Sequence, residues 1–435
     1  MLIVGYGLEG KSIHRYLGQH LPNVTVSIAD KSLIDENKFV AKPKKVYFGN
    51  DYLQDITCFD TVFRSPGIPL KKREFESAKK KGVHISSLSN LFVSLAPGKV
   101  IGVTGTKGKS TTASLIAAFL ETKFSDVRLV GNIGTPALDA LDSANESTYF
   151  VAEFSSFQLE DLRYSPQIAV LLDIYPEHLD HHQDFNSYVS AKSNIFRKQQ
   201  KEDLFFISET ARKHIATEEI PGEWHDINVQ VKGKEFFQPE SLPLAVSATP
   251  ENLSAAISCA SACGVSSEQI HKALTCYTAL PHRLEKVCSV RNITFYNDSL
   301  ATIPQATINA LKALSPEVTT LILGGHDRGI DYSELAEEIF NRKEEIRNLV
   351  LFPTTGRKIW QCLEEIAKNS DYELGTLPQP FDVNSMPEAV EISLRETPTN
   401  KICLLSPASS SLNLFRDYQD RAEQFKNAIE KLAQL

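Results

Sequence analysis

The chain has 435 residues, of which 42% are hydrophobic and 23% charged, and its formal net charge is −8. The length predicts about two to four domains, the acidic balance argues against a nucleic-acid groove, and no apolar run approaches the roughly 18 residues that span a bilayer. The N-terminus lacks a signal-peptide pattern and none of the seven cysteines lies in a C-x-x-C pair, so a cytoplasmic location and reduced, mostly buried thiols are expected.

The first segment, residues 1–97, opens with a dinucleotide-fold fingerprint. The short strand Met1–Val4 runs into the glycine-rich turn Gly5–Gly10, a helix follows, and a second strand ends at Asp30. Glycines in this pattern let the backbone approach a pyrophosphate, and the acid binds a ribose. Three interpretations stay open from these residues: an NAD-dependent enzyme, another nucleotide diphosphate on the same helix N-terminus, and a purely structural turn.

A second polar turn of this segment, Ser65–Pro69, follows a strand at its carboxyl end, where such folds bind ligands. The stretch Ala96–Gly98 is the predicted linker to the next segment. Because the segment is short for a complete dinucleotide domain, a nucleotide anchor fits it better than a hydride-transfer site.

The central segment, residues 98–280, begins with an apolar strand, a glycine-punctuated turn and a helix start within Val100–Thr112. Free backbone N–H groups and the positive end of the helix dipole would meet there and bind phosphate. Lys109 can reach β- and γ-phosphate oxygens, and the Ser110 hydroxyl can ligate Mg²⁺. The glycine spacing departs from the strict phosphate-loop pattern, so the alternative is an ordinary Gly/Lys surface turn.

Two later strand ends of this segment carry candidate metal ligands. Glu153 ends a buried strand, where an unpaired acid is costly, and His178 follows the next apolar strand. Oxygen ligands with one imidazole suit Mg²⁺ or Mn²⁺. A solvated or capping loop is the alternative for His178, and that interpretation is favoured for His181 and His182.

A helix predicted after these histidines places Tyr188, Lys192 and Phe196 one above another at i,i+4 spacing. From the residues alone, a lysine that snorkels over apolar surface is favoured over a functional lysine. The segment closes with a helix start that carries Asn252.

The third segment, residues 281–435, alternates strands and helices again, which predicts a parallel βα domain with its own core. Its first residues include His282 and Arg283, an imidazole and a guanidinium at the hinge, from which the arginine can reach phosphates across a cleft. Three strand ends carry polar turns that should share the ligand-binding edge of the sheet. These turns are Asn297–Ser299, Gly324–Gly329 and Ser406–Ser411.

Together these motifs resemble the Mur ligases, the ATP-dependent amino-acid-adding enzymes of peptidoglycan synthesis, over the whole chain. In family order they read Gly-Thr-Lys-Gly-Lys-Ser, Glu-Phe-Ser-Ser-Phe-Gln-Leu-Glu, Pro-Glu-His-Leu-Asp, Leu-Pro-His-Arg, Asn-Asp-Ser, Gly-Gly-His-Asp-Arg-Gly and Leu-Leu-Ser-Pro. Their order and spacing are most similar to the branch that adds glutamate to UDP-muramoyl-alanine. Folylpolyglutamate synthase shares the ATP core but lacks the leading glycine-rich domain, so it ranks lower.

The resemblance implies an α/β fold with three domains. Residues 1–97 would form a Rossmann-like UDP-substrate domain, residues 98–280 a central P-loop ATPase-type parallel sheet, and residues 281–435 a Rossmann-like amino-acid domain. In the implied reaction ATP phosphorylates the substrate carboxylate, and the amine of glutamate attacks the acyl phosphate. Lys109, Arg283 and Mg²⁺ would stabilise the charge on the transferring phosphoryl group.

The resemblance also implies the cofactors and partners. They are ATP, Mg²⁺ at two sites with Mn²⁺ as an alternative, and the small-molecule substrates UDP-N-acetylmuramoyl-L-alanine and glutamate. D-Glutamate is expected, while L-glutamate or another acidic amino acid stays open. No nucleic acid or membrane partner is expected, and the chain is expected to be a monomer.

The site residues implied by the resemblance fall into five groups. The catalytic residues would be Lys109, Glu153, His178, Lys192, His282 and Arg283. ATP would contact Gly105, Thr106, Lys107, Gly108, Lys109, Ser110, Thr111, Asn252, Arg283 and Asp298. The UDP substrate would contact Gly7, Leu8, Glu9, Asp30, Lys31, Ser65, Pro66, Gly67 and Asn132, and glutamate would contact Thr302, Arg328, Ser411 and Tyr418. Metal would be held by Ser110, Glu153, His178 and Lys192, the last as a carbamate, which reverses the snorkelling interpretation.

Departures from the family pattern gather at the glutamate positions. Leu300 stands where the family has lysine after Asn-Asp-Ser, Arg328 replaces lysine, Tyr418 replaces phenylalanine, and Ser409-Ser410 replaces Cys-Ala. Elsewhere Lys107 replaces asparagine in the phosphate loop, and Ala248-Thr249 replaces His-Asn. Two hypotheses from other classes stay open: a non-catalytic nucleotide-binding scaffold on the same fold, which the intact catalytic positions argue against, and a dehydrogenase, which rests on the first glycine motif alone.

Overall fold

The structure is a computed structural model that describes residues 1–216, 220–227, 250–278, 280–370 and 377–433. The described residues divide into two compact units, one made of residues 1–216, 220–227 and 250–277 and the other of residues from 278 onwards. Among the described helices, none combines the length and the apolar character needed to cross a membrane. The replacement of His-Asn by Ala248-Thr249 lies outside the described residues.

The first unit begins with a five-stranded, wholly parallel sheet in the order β3-β2-β1-β4-β5. Its strands are β1 Leu2–Val4, β2 Ser27–Asp30, β3 Val46–Phe48, β4 Thr61–Arg64 and β5 His84–Ser86. Its helices are α1 Leu8–His20, α2 Arg73–Lys80 and α3 Leu88–Leu95. The strand order reverses between β1 and β4, so ligands are expected in the crevice outside the carboxyl ends of these two strands.

A second sheet of the same unit has six parallel strands in the order β11-β10-β9-β6-β8-β7. Its strands are β6 Lys99–Thr104, β7 Val127–Gly131, β8 Tyr149–Glu153, β9 Ile168–Leu171, β10 Leu204–Ile207 and β11 Glu223–Asp226. Its helices are α4 Lys109–Glu121, α5 Ser156–Leu159, α6 Leu179–His182, α7 Phe185–Ser193, α8 Glu209–Arg212, α9 Pro250–Ala262 and α10 Ser267–Cys276. Because β6 lies between β9 and β8, the loops that follow these three strands meet at one edge.

The two sheets of the first unit share one apolar core. A single cluster of buried side chains runs from Ile3 and Phe63 of the first sheet to Phe150 and Leu171 of the second, and Phe92 packs edge-on against Phe150 with ring centroids 5.4 Å apart. The boundary predicted between residues 97 and 98 therefore lies inside one compact unit, and the division into three domains stays a prediction.

The second unit contains a six-stranded sheet in the order β12-β13-β17-β14-β15-β16. Its strands are β12 Glu285–Val290, β13 Ile293–Asn297, β14 Val318–Gly325, β15 Asn348–Thr354, β16 Gln379–Asp382 and β17 Ile402–Leu405. Its helices are α11 Pro304–Leu314, α12 Ser333–Asn341, α13 Thr355–Asn369, α14 Met386–Glu396 and α15 Tyr418–Ala433.

The α/β prediction is confirmed, and the prediction of a purely parallel third domain is wrong at one edge. Strand β12 pairs antiparallel with β13, whereas the other strand pairs of that sheet are parallel. The two strands are joined by a two-residue hairpin in which Arg291 and Asn292 have φ values of 50° and 60°. Positive φ at both central residues matches the right-handed twist of the flanking strands.

Two further expectations need correction. Helix α7 ends at Ser193, so Phe196 lies beyond the helix and packs instead on Phe205, with ring centroids 4.4 Å apart. Only Cys259 and Cys403 of the seven free cysteines are buried, because the others lie at helix ends, on the edge strand β12 or on half-exposed faces.

Candidate active site

The phosphate loop is buried and tied to the segment that follows β9. The backbone N–H of Thr106 donates to the Asp173 carbonyl oxygen at 2.7 Å. The Thr106 hydroxyl oxygen lies 2.9 Å from the Tyr188 hydroxyl and accepts the Tyr175 N–H at 2.9 Å. The surface-turn alternative is wrong, because Gly105, Thr106, Gly108 and Ser110 are all buried.

Helix α4 begins directly after Gly108, which has a φ of 77°. A Cβ at this position would lie 2.0 Å from Asn252 Oδ1, so the loop has room only for glycine and the Asn252 amide lies against it. Gly108 has no side chain to cap the helix, which leaves the first N–H groups of α4 for a ligand. Thr111 Oγ1 is also buried without a hydrogen-bond partner among the described residues. This polar, uncapped cradle fits a phosphate group.

Two lysine ammonium groups meet on one carbonyl oxygen. Lys109 Nζ donates to the Gly105 and Thr106 carbonyl oxygens at 3.1 and 3.0 Å, and Lys192 Nζ donates to the same Gly105 oxygen at 2.7 Å. Lys192 is 1% exposed, and its Nζ lies 4.8 Å from the centre of the Tyr188 ring. Burial, and then the charge of Lys109, lower the pKa of Lys192 well below its ordinary value. The snorkelling interpretation is therefore wrong.

Glu153 supplies a carboxylate to the same edge. It is the last residue of β8, is 3% exposed, and has its Oε2 buried without a hydrogen-bond partner in the described part of the chain. The negative charges of Glu177 and Glu153 act in the opposite direction and raise the pKa of Lys192. A buried, unpartnered carboxylate oxygen is costly, and a bound cation would satisfy it. The orphaned oxygen therefore fits the predicted metal ion.

His178 has left-handed backbone geometry, with a φ of 55°, and its Nε2 lies 3.6 Å from Glu177 Oε2. Its ring packs against Phe157, with centroids 4.8 Å apart. Within the described residues, no three or more His, Cys, Asp and Glu side chains form a group that could hold a metal ion. Glu153 and His178 are therefore an incomplete ligand set without a further donor.

The neighbouring histidines make packing contacts. His181 and His182 also lie against Phe157, with ring centroids 4.4 and 5.5 Å away. His182 is buried, its Nε2 lies 3.0 Å from Ser156 Oγ, and burial followed by the charge of His181 lowers its pKa to about 4. His182 is therefore buried rather than solvated, and a purely structural role for both histidines stays a prediction.

The crevice of the first sheet brings two predicted turns together. Ser65 Oγ donates to the Gly5 carbonyl oxygen at 3.0 Å, and a Cβ on Gly10 would lie 2.1 Å from that oxygen. Both turns therefore lie at the carboxyl ends of β1 and β4. Asp30 accepts the Tyr6 N–H at 2.8 Å, which fixes the glycine-rich turn. Of the other predicted residues on this rim, Pro66 is half-buried, and the exposed ones are Gly7, Leu8, Lys31 and Gly67.

Glu9 faces the second sheet rather than solvent. Its Oε1 accepts a hydrogen bond from Gln158 Nε2 at 2.7 Å, and its Oε2 is buried with no partner among the described side chains and backbone groups. Burial raises the pKa of Glu9 from 4.5 to about 7. The carboxyl group therefore exchanges its proton near neutral pH. Asn132 is exposed at the end of β7, and its N–H donates to the Glu153 carbonyl oxygen at 3.3 Å.

In the second unit, the residues that open the domain and the turn after β13 form one network. Asn297 Nδ2 lies 3.1 Å from His282 Nδ1, and Asp298 accepts the Leu284 N–H at 3.2 Å. Burial raises the pKa of Asp298 from 3.8 to about 6. Arg283 Nε is buried without a hydrogen-bond partner in the described part of this unit. Its N–H can therefore still donate to an anion.

The predicted glutamate residues of this unit differ in exposure. Ser411 is buried, Thr302 and Tyr418 are half-buried, and Arg328 is exposed. The Tyr418 ring lies 6.2 Å from the His282 ring, centre to centre, so these two predicted residues are neighbours.

Sequence reasoning missed Arg421, which is fully buried below the same turns. Its Nη1 donates to the Ser409 carbonyl oxygen at 3.0 Å and its Nη2 to the Ser299 carbonyl oxygen at 2.8 Å. Burial lowers the pKa of Arg421 to about 9. The available signal was its position on the apolar stripe of α15, in register with Phe425 and Ile429.

Comparison with known proteins places this geometry in a family. The MurF ligase of Thermotoga maritima in complex with ADP matches with a TM-score of 0.58 and 14% identity, covering 99% of this chain and 95% of that chain. UDP-N-acetylmuramate–alanine ligase MurC of the same organism matches with a TM-score of 0.55 and 16% identity, covering 99% of each chain. These two likenesses show the fold. Residues 103–235 also match the Mur ligase middle domain.

The relatives decide the family. The UDP-N-acetylmuramoylalanine–D-glutamate ligase of Clostridium kluyveri is 31% identical to this chain and covers 99% of it and 96% of its own length. The chain belongs to the UDP-N-acetylmuramoylalanine–D-glutamate ligase family. The ligase of the same name from Koribacter versatilis is also 31% identical, over 100% of this chain and 98% of its own length. The roles of the individual site residues stay predictions.

The raised pKa of Glu9 predicts a pH-dependent stability difference. Folded protein keeps the Glu9 proton up to about pH 7, whereas unfolded protein releases it near 4.5, so stability is lost as pH rises through this window. Glu9→Gln keeps the acceptor for Gln158 and removes the titration. Its free energy of unfolding should equal that of the wild type at pH 4 and exceed it by on the order of 2 kcal/mol at pH 8.

Urea unfolding of both proteins at several pH values measures this difference. The exposed Glu146 provides the matched control, because Glu146→Gln should change stability little at any pH. A difference between Glu9→Gln and wild type that stays constant from pH 4 to 8 would contradict the burial of the Glu9 carboxyl group.

Proposed function

We propose that this chain is an ATP-dependent ligase that joins glutamate to UDP-N-acetylmuramoyl-L-alanine through an acyl phosphate, in peptidoglycan precursor synthesis. The single observation that carries this proposal is the 31% sequence identity, over nearly the whole chain, to ligases that are named for this reaction. The phosphate loop supports it, because Lys109, Lys192 and the orphaned Glu153 oxygen lie at one sheet edge.

Phosphoryl transfer requires positive charge around the transferring group. Lys109 donates to two neutral carbonyl oxygens in the loop. Hydrogen bonds between ionised partners are stronger than these, so its ammonium would leave the carbonyls for a phosphate oxygen. The uncapped N–H groups of α4 and the Thr106–Thr111 backbone would hold the other phosphates, and Asn252 and Asp298 the adenosine. The buried Nε of Arg283, which has no hydrogen-bond partner among the described residues, supports a role for Arg283 in binding an anion.

Divalent metal supplies charge neutralisation and orientation of the phosphate oxygens when bound. Ser110 would contribute its hydroxyl to the ion that accompanies ATP. Glu153, through its unpartnered Oε2, and His178 would contribute to a second ion, with a third ligand from Lys192 as a carbamate. Oxygen-rich sets of this kind suit Mg²⁺, with Mn²⁺ as the alternative.

Lys192 has the environment that carbamate formation needs. Because burial and the Lys109 charge lower the pKa of Lys192, its nitrogen lone pair is more available than that of an exposed lysine. The amine attacks CO₂, an N–C bond forms, one C=O π bond becomes the carbamate anion, and the amine proton leaves to solvent. The product would replace repulsion from Lys109 by attraction. The buried carbamate would also form an ion pair with the ammonium of Lys109, which the neutral amine of Lys192 cannot do.

The UDP moiety would bind in the crevice between the turns after β1 and β4, with Asn132 toward the muramoyl end. Glutamate would bind in the second unit at Thr302, Arg328, Ser411 and Tyr418, with His282 near the substrate carboxylate. D-Glutamate is proposed because the relatives carry it in their names. L-Glutamate is kept as the second candidate, since Leu300 removes a cation that the family has at this position.

The reaction itself gives the first functional prediction. Phosphate release by the wild-type protein should require ATP, UDP-N-acetylmuramoyl-L-alanine and D-glutamate together, and the rate with L-glutamate should be at most about a tenth as high. A malachite-green assay with each component omitted in turn measures this requirement. No release at all would favour the scaffold hypothesis, and release that does not depend on the UDP substrate would contradict the proposed ligase reaction. A faster rate with L-glutamate would reverse the proposed stereochemistry.

Lys192 gives a second functional prediction. Lys192→Ala should lower the rate of phosphate release by at least about 100-fold, because a metal ligand is lost. Formate or acetate should restore part of that rate by placing a carboxylate in the vacated space. The exposed Lys198 lies in the same segment, so Lys198→Ala should retain wild-type activity with or without the added carboxylate. Full activity of Lys192→Ala in bicarbonate-free buffer would contradict the assignment.

A further inference from the structure

Arg64 is a fully buried cation at the carboxyl end of β4. Its Nη1 donates to the carbonyl oxygens of Pro66 at 3.1 Å and Ile68 at 2.6 Å. Both acceptors belong to the turn after β4, the turn proposed above to contact UDP. The guanidinium therefore binds the inner side of this turn through two backbone carbonyl groups.

The other side of the same guanidinium binds the second sheet's helix α5. Its Nη2 donates to the Phe157 carbonyl oxygen at 3.3 Å. Glu160 and Asp161 bring carboxylate oxygens to 3.6 and 3.4 Å from the two terminal nitrogens. A buried cation needs this compensation, because burial of a charge without a counter-charge is strongly destabilising. One side chain thus joins the turn after β4 to the helix that follows Glu153.

Helix α5 itself is firmly placed. Ser155 and Gln158 form a reciprocal capping box at its N-terminus, and Gln158 also donates to Glu9 at 2.7 Å. The helix begins at Ser156, three residues after Glu153 at the end of β8. Arg64 therefore ties the turn to a rigid element that is continuous with the proposed phosphate and metal edge.

The orientation of one peptide group follows from these bonds. In a planar trans peptide the C=O and the N–H point in opposite directions. Since the Pro66 carbonyl points at Arg64, the N–H of Gly67 points away from it, out of the turn. Gly67 is exposed, which leaves this donor available to a ligand bound at the carboxyl ends of β1 and β4. A backbone N–H at that place can donate to a diphosphate oxygen.

We propose that Arg64 is a positioning residue, which holds the Pro66–Gly67 peptide with its N–H directed at the diphosphate of the uridine nucleotide. The inference rests on the proposed function, because that function supplies the ligand. The inference goes beyond the proposed function, because it makes a buried side chain that does not itself touch the ligand responsible for the orientation of the donor. Without Arg64, the peptide loses the partner that fixes its carbonyl, and the N–H is no longer held in place.

A matched control exists in the same unit. Arg15 also joins the first sheet to the second, since its Nη1 donates to both carboxylate oxygens of Asp139 at 2.7 Å. Within the described residues, the hydrogen bonds and the ion pair of the Arg15 side chain go to Asp139 and not to the turn after β4. Arg15→Met and Arg64→Met therefore both remove a connection between the two sheets. Arg64→Met alone of these two variants also removes the side chain that orients the turn.

Calorimetric titration of UDP, with ADP present at saturation to fill the phosphate loop, tests the proposal in the full-length protein. ADP is titrated separately as the second readout. Arg64→Met should raise the dissociation constant for UDP about 10- to 100-fold, as expected for a lost hydrogen bond to a charged group, and leave that for ADP within about twofold. Arg64→Lys should fall between, since an ammonium cannot bridge two carbonyls as a guanidinium fork does. Arg15→Met should bind both nucleotides as the wild type does.

Each outcome of these titrations either supports or overturns the proposed role of Arg64. If Arg64→Met fails to fold, Arg64→Lys alone must show weaker UDP binding with unchanged ADP binding. Wild-type UDP affinity in a folded Arg64 variant, or an equal loss of UDP and ADP affinity, would overturn the proposal and leave Arg64 a purely structural residue. The proposed function fails separately, through absent UDP binding or absent substrate-dependent phosphate release in the wild type.

Discussion

Two ammonium groups on the single carbonyl oxygen of Gly105 are the constraint around which the first unit is arranged. Lys192 is buried, and Lys109 donates to the same acceptor. Keeping both side chains positively charged is therefore unfavourable unless negative charge is added nearby. ATP phosphates would supply that charge to Lys109. A carbamate on Lys192 would supply it from the other side and would also complete the ligand set begun by Glu153 and His178.

The loop that carries this oxygen is held from several directions. Thr106 binds the segment after β9, Gly108 fits against Asn252, and the Tyr188 hydroxyl reaches the Thr106 hydroxyl from α7. The first sheet is joined to this edge by a common apolar core and by buried polar links at Arg64 and Glu9. A substrate held in the first sheet's crevice would therefore meet a phosphate site of fixed geometry within one compact unit.

The sequence was sufficient for the local features because their signals are local. The phosphate loop, the position of Glu153 at a strand end and the polar turns of the second unit each follow from an apolar run that stops at glycine or a polar residue. Antiparallel β12 escaped prediction, since Arg291-Asn292 is a weaker hairpin signal than Asn-Gly. Arg64 and Arg421 escaped it because arginine is ordinarily exposed. Their burial depends on carbonyl groups and carboxylates far away in the chain, such as Phe157 and Asp161.

The most direct measurement is a ¹³C NMR spectrum of the protein equilibrated with ¹³C-bicarbonate. A carbamate carbonyl resonance should appear in the wild type, disappear in Lys192→Ala and persist in Lys198→Ala, because Lys192 is the lysine that is buried beside another cation in the described part of the chain. A wild-type spectrum without that resonance, or one that Lys192→Ala leaves unchanged, would contradict this prediction.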